Sequence, residues 1–423
     1  MLSVLTRNTD FRRLFLAELI VFGADWFIMV PLLVLLNDLT GKGIWGGLVL
    51  GVETGVTALL LPYAGTIADR FNRKHIMVTT NLGALVAVAT LFAVHGSLAG
   101  PIALLAVALM AVSKAFYSPA ATSAIPNLVD RPDLPSAMAV SGTTWGTMAI
   151  IGSSLGGVVS GLLSPYYCFG IVGVGLVIAA LLTWRIRRPT QEGVPDVQRP
   201  AFAAIREAMG YLKGQPSLLA LVTVKSAVGL GNGVLTAFPI LAAHYFHVGS
   251  RGLGLMFAAR GLGALIGPLL FRRVLTKTGW LLPGLALSMA TYGVFYLGVA
   301  VTSWFPLVLL LIFCAHLAGG GNWVMSSFAI QQRVPDELRG RVSATDTMVA
   351  MLAITVSQLV VGLFIDTLSP KVLIACCAAT TISYAIGWRL VTRRIVDPPQ
   401  ETAISPVVPV TVQPPPSPDR LTT

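Results

Sequence analysis

An all-α membrane fold of twelve transmembrane helices, arranged as two pseudo-symmetric six-helix bundles, is predicted by three observations. Charged residues make up only 11% of the chain and mean hydropathy is +0.78, whereas a soluble domain carries about 25% charged residues. Twelve apolar runs approach or exceed the roughly 20 residues a helix needs to cross a hydrocarbon core of about 30 Å. The cations are sorted between alternate connections, the asymmetry that fixes orientation in membrane proteins.

In chain order the runs fall at 14–36, 44–64, 76–95, 101–122, 136–163 and 166–186, then at 218–241, 252–274, 281–301, 305–330, 342–367 and 370–393. The first follows a polar, basic stretch from Met1 to Arg13 and is a full span rather than a short signal-peptide core, so no cleavable leader is expected. The second and third flank the tight polar connection 65–74. The six-and-six grouping comes from the segment 187–217, with Pro189, Glu192, Gly193, Pro195, Asp196 and Pro200, the longest polar interruption. A weak repeat supports it: Ile125, Val129, Leu134 and Ala139 follow the fourth run as Ile330, Val334, Leu338 and Ala344 follow the tenth. The expected organisation is a bundle over 1–186, a cytoplasmic linker over 187–217, a second bundle over 218–396 and a proline-rich disordered tail over 397–423.

On the side holding both termini stand twenty-two of the 29 cations, among them Arg12, Arg13, Arg70, Arg73, Lys74, Arg185, Arg272, Arg273, Lys277, Arg339 and Arg341. The opposite side holds only Lys42, Arg251 and Lys371. Both termini are therefore expected in the cytoplasm, with the chain in the inner membrane. The net charge of +11 is explained by this sorting and does not indicate nucleic-acid binding. Cys168, Cys314, Cys376 and Cys377 lie in apolar runs without metal-ligand spacing and read as reduced packing residues; no cofactor or metal is expected.

The connection Gly65-Thr66-Ile67-Ala68-Asp69-Arg70-Phe71-Asn72-Arg73-Lys74 resembles the signature between the second and third spans of the major facilitator superfamily. Asn72 replaces a glycine there, which fits a backbone with positive φ because Asn tolerates that conformation. Asp10 to Leu14, Gly23 to Trp26, Ala124 to Val129 and Val334 to Val342 also fall in their expected places. Together they are similar to the exporter branch that includes macrolide efflux proteins and the enterobactin exporter. The resemblance implies proton-driven efflux, a cavity lined by spans one, four, seven and ten, and a cytoplasmic gate. That gate comprises Gly65, Asp69, Arg70, Arg73, Lys74, Arg339 and Arg341, with Asp69, Arg70 and Arg73 latching against the opposite half. Span five departs from the antiporter pattern: Gly152-Ser153-Ser154-Leu155-Gly156-Gly157 lacks its proline, though its glycines still permit close packing.

Lys114, Lys225 and Arg260, and the acids Glu18, Asp25 and Glu53, fall within apolar runs. An ionised group at mid-bilayer costs about 2.5–3.5 kcal/mol on the lenient insertion scale, so each faces a cavity or a partner. Asp25 lies about 18 Å along the first span, near the midplane, at a depth similar to Lys114. An acid there favours its neutral form and is a candidate proton carrier, alone or paired with Lys114. Glu53 is the rival proton site, or a partner across the seam between halves. Glu18, two turns from Asp25 on one face, reads equally as structural or gating. His316 reads as a packing residue.

Lys225, Gly229, Asn232 and Thr236 form a stripe on span seven, and His316, Gly320, Trp323 and Ser327 one on span ten. The candidate substrate residues are Lys114, Lys225, Asn232, Arg260 and Trp323; the candidate proton residues are Asp25 and Glu53. The expected function is proton-coupled efflux, by a monomer exchanging protons, of a small amphipathic molecule with anionic or zwitterionic groups. Alternatives are a lysophospholipid flippase or uncoupled facilitator, and a non-transporting receptor or scaffold. No nucleophile–base pair, metal cluster or phosphate loop suggests an enzyme.

Overall fold

The computed structural model describes residues 3–191, 201–275 and 279–395. The proline-rich tail, Lys277 and most of the polar segment before Ala201 lie outside the described residues, as do the side chains of Arg272, Arg273, Asp336 and Glu337. Among the described residues there is no strand, and twelve helices are long and apolar enough to cross a membrane. They are α1 (Thr9–Thr40), α2 (Ile44–Arg70), α3 (Arg73–Leu91), α4 (Gly96–Leu128), α5 (Arg131–Leu162), α6 (Pro165–Trp184), α7 (Pro216–Tyr245), α8 (Gly249–Phe271), α9 (Leu281–Val301), α10 (Phe305–Arg333), α11 (Leu338–Phe364) and α12 (Pro370–Thr392). Several outrun their apolar cores. The 32 residues of α1 make a rod of about 48 Å, and its surplus turns carry Asp10, Arg12 and Arg13, where water satisfies what lipid would not.

Helices α1–α6 form one bundle and α7–α12 the other, joined along two seams, α2 against α11 and α5 against α8. Small residues set the closeness of both. A Cβ added to Gly47 would stand 2.5 Å from Gly362 Cα, and one added to Gly157 would stand 3.1 Å from Gly254 Cα. The seams run from the face opposite the termini to about mid-helix. There Asp366 accepts from the backbone N–H of Gly43 at 2.6 Å and of Ile44 at 3.2 Å, and Thr54 donates to Gln358 at 3.3 Å. Toward the termini face, a Cβ on Gly65 of α2 or Gly142 of α5 would meet nothing within 4 Å. The halves are thus closed on the far face and parted on the termini face.

Two spans are broken. α5 interrupts at Thr143, and α7 at Val224 and again at Asn232–Gly233. At the second break Ser357 of α11 takes up part of the α7 backbone: Gly233 N–H donates to Ser357 Oγ at 2.9 Å, and Ser357 in turn donates to the Leu230 carbonyl. Gly229 and Gly233 allow that approach, since an added Cβ would stand 2.9 Å from Ala353 Cβ and 2.5 Å from Ser357 Oγ respectively.

The turn between α2 and α3 corrects one expectation. Asn72 has φ −60° and ψ 114°, so positive φ is not what selects it. Its Oδ1 accepts from Lys74 N–H at 3.0 Å and His75 N–H at 3.3 Å, capping the free donors at the start of α3. The polar segment between the bundles contains a helix, Ala201–Lys213, that buries Ala208 and Leu212 and touches both α2 and α11.

Candidate functional site: charged groups within the bundles

Asp25 falls at the middle of α1, 16 residues from Thr9, or about 24 Å along the helix. Lys114 of α4 reaches it: its Nζ lies 2.5 Å from Asp25 Oδ2 and 3.1 Å from Glu53 Oε1 of α2. The three side chains are 22%, 14% and 23% exposed. The structure therefore brings three of the sequence candidates into one cluster inside the first half, and Glu53 pairs there rather than across the seam. With both carboxyls ionised the cluster carries one net negative charge, and a single proton on either makes it neutral. Burial favours a neutral set over a charged one, so this arrangement can exchange one proton against a change in its surroundings.

Arg260 of α8 comes from the other half. Its guanidinium lies over the Trp26 ring of α1 at 5.2 Å and the Trp145 ring of α5 at 5.6 Å. The two indoles meet edge to face, with centroids 5.6 Å apart. Arg260 Nε is buried without a hydrogen-bond partner, so the cation is held by ring faces rather than by a carboxylate. Such a guanidinium can still offer a fork of donors to an anion.

Lys225 of α7 and Trp323 of α10 were expected on a cavity wall with Asn232. Instead Lys225 is fully buried within the second half, paired with Asp346 of α11 and donating to Ser327 Oγ of α10 at 2.7 Å. Its Nζ lies over the Trp323 ring at 5.2 Å. Asn232 is buried as well, with Nδ2 donating to the Val228 carbonyl at 3.2 Å. Asp346 was missed. It stands in an apolar run, and a census of every acid inside the predicted spans would have found it. His316 packs: it shares a 2.8 Å hydrogen bond with Tyr296 and meets Tyr292 edge to face. Glu18 is buried on α1 and accepts from Ser141 Oγ of α5 at 2.9 Å.

The gate candidates divide. Asp69 pairs with Arg73 of the same connection at 3.8 Å; Arg73 donates to the Ser123 carbonyl at 2.7 Å and the Thr190 carbonyl at 3.1 Å. Lys74 donates to the Ile186 carbonyl at 2.9 Å and lies over the Trp184 ring. Arg70 is exposed. In this state those contacts stay on the first half and the segment that leaves it, not on the opposite half, as expected where the halves are parted. Arg341 pairs with Glu207 of the Ala201–Lys213 helix at 2.8 Å, and Arg339 donates to the Val334 carbonyl at 3.5 Å.

Comparison with known proteins fits this architecture. The family model for the Major Facilitator Superfamily matches residues 14–238 and 226–416. The enterobactin exporter EntS of Salmonella typhi is 26% identical over 355 residues, covering 81% of this chain and 82% of that protein. The uncharacterised MFS-type transporter Rv0037c of Mycobacterium tuberculosis is 26% identical over 324 residues, 68% of each chain. Among solved structures, a bacterial homologue of the human lysosomal transporter Spinster, inward-facing and unoccupied, superposes with a TM-score of 0.71 at 16% identity over 92% of this chain and 97% of that one. A POT family transporter in complex with 5-aminolevulinic acid gives a TM-score of 0.72 at 10% identity over 92% and 97%. The chain is a multi-pass membrane protein, a transporter rather than an enzyme, and it belongs to the major facilitator superfamily.

Proposed function

We propose that this protein is a proton-coupled exporter of small amphipathic anions or zwitterions, working by alternating access in the cell's inner membrane with both termini in the cytoplasm. The carrying observation is the cluster of one ammonium between two carboxyls at mid-membrane, Lys114 with Asp25 and Glu53. Its charge count provides for one exchangeable proton. The parted termini face is then the cytoplasmic opening, and the far-face seams are the closed outer gate. Domain limits near 186 and 218 follow the joint between bundles, and a monomer suffices for the cycle.

Substrate choice rests on Arg260. A substrate anion would take the guanidinium from the ring faces of Trp26 and Trp145, leaving those indoles to the apolar body of the same molecule. Rocking of the halves about this point would move the site from one face to the other. Closure of the cytoplasmic face would bring Asp69, Arg70 and Arg73 toward Arg339 and Arg341.

The test is uptake into inside-out vesicles under an imposed proton gradient. Enterobactin, the substrate named for the Salmonella relatives, is the first probe. Gradient-dependent uptake, lost in Asp25→Asn and with a raised KM in Arg260→Gln, is the expected result. Uptake that ignores the gradient would replace this reading with an uncoupled facilitator or flippase.

A further inference from the structure

At the far face, the start of α2 is capped by the other half of the molecule. The first N–H groups of a helix lack partners within it, and Gly43, which precedes Ile44, has no side chain to supply one. Asp366 supplies both bonds. One carboxylate oxygen accepts from Gly43 N–H at 2.6 Å and the other from Ile44 N–H at 3.2 Å. Glycine at position 43 leaves room for this approach: a Cβ there would stand 2.5 Å from Ile240 Cδ1, 2.8 Å from Ile365 Cγ2 and 3.2 Å from Asp366 Oδ1.

Within its own half Asp366 is badly placed. It follows two residues after Phe364, the last residue of α11, at the end of a helix where carbonyls point outward and a negative charge is unfavourable. The start of α2 is the opposite pole, where the same charge is favourable. The acid therefore gains from across the seam and not from the helix that carries it. That contact joins positions 323 residues apart in the chain, and parting α2 from α11 removes it. Asp366 is also exposed, so water can take over both partners once the seam opens, and the contact can be broken and remade in every cycle.

Resting on the alternating-access reading above, we propose that Asp366 is the outer latch of the transport cycle. Its carboxylate caps α2 while the far face is closed and gives the cap up to water when that face opens. The latch is directional and polar, where the contact of Gly47 with Gly362 is steric. The glycines set how closely α2 and α11 approach, and Asp366 sets how strongly the approached state is preferred. A cap shifts such an equilibrium by about 2–30-fold. That lies within the roughly 5–150-fold range over which a bound ligand couples to a conformational change or just below it, so substrate and proton binding can release it.

The experiment measures far-face distances in the full-length protein with spin labels at Ser97→Cys and Ser303→Cys, on a background without the native cysteines. Both positions are exposed, Ser97 at the start of α4 and Ser303 between α9 and α10, on opposite halves. Asp366→Ala should raise the ratio of long to short distances by about 2–30-fold, and Asp366→Asn, which keeps one acceptor oxygen, by less. Thr367→Ala, whose hydroxyl bonds only to the Phe364 carbonyl of its own helix end, should leave the ratio at the parent value. Matching thermal melts confirm that the variants fold. Parent populations in Asp366→Ala, alongside a shift in Gly47→Val or on adding enterobactin, would overturn the latch. A single distance that none of these moves would overturn the alternating-access reading itself.

Discussion

Substituting Gly47 by Val should open the far-face seam. In the structure, a Cβ at that position would stand 2.5 Å from Gly362 Cα, 3.0 Å from Thr236 Cγ2 and 3.1 Å from the Gln358 carbonyl oxygen. Carbon atoms in ordinary contact stand about 3.5–4.0 Å apart, so the first methyl alone demands that α2 and α11 separate by about 1 Å. Two of these three atoms, the closest included, are backbone, and the third belongs to a stiff β-branched side chain, so little can yield. Overpacking of this kind costs about 1–3 kcal/mol, and here it falls on the closed-seam state alone. The equilibrium between states should shift by about 5–150-fold toward the one with the far face open. Spin labels at Lys42→Cys and Thr367→Cys, both exposed beside this seam, would report it on a background without the native cysteines. The inter-label distance should lengthen in Gly47→Val and stay at the parent value in Gly65→Val, where an added Cβ meets nothing within 4 Å. An unchanged distance in a folded Gly47→Val protein would refute the claim that this glycine contact holds the face closed.

Three further outcomes follow from the same contacts. Lys114→Met leaves Asp25 and Glu53 facing each other without their cation, so transport should be lost and the melting temperature should fall. Adding Glu53→Gln should recover part of the stability, which a double-mutant cycle in thermal melts would measure. For the buried pair of the second half, Lys225→Met or Asp346→Leu alone should cost about 3–5 kcal/mol. The double variant should cost far less, because no uncompensated charge remains; chemical denaturation of each protein checks this. At the start of α3, Asn72→Ala should destabilise by about 0.5–2 kcal/mol while Asn72→Ser is near neutral. If backbone strain were the issue instead, Asn72→Gly would be the most stable of the three.

The fold was legible because it is written in composition and period. Lipid demands long apolar helices, so twelve runs announce twelve spans, and cation sorting orders them. Helix ends were less legible. The outer turns of α1 and α4 are polar enough to fall outside an apolar window, yet they continue the helix because water takes over at the bilayer edge. Individual charges announced themselves by their cost in lipid: Asp25, Glu53 and Lys114 were each visible as anomalies, and Asp25 and Lys114 as equals in depth. Their joining into one cluster, and the seating of Lys225 against Asp346 across 121 residues of chain, depend on helix rotation and packing, which a list of spans does not carry. Asn72 illustrates the same limit locally. Its substitution for glycine was plain, but whether it serves φ or caps a helix depends on where α3 begins. Asp366 gave no signal at all, since an acid at the edge of an apolar run is unremarkable until the start of α2 is found against it.

The most direct test of the central claim is proton release from purified protein in detergent as the transported probe is added, for the parent and for Asp25→Asn. Release of about one proton per bound molecule in the parent, absent in the variant, is the predicted result, because the cluster of Lys114 with two carboxyls has one proton to give. Saturable binding with no release from the parent would contradict proton exchange at Asp25.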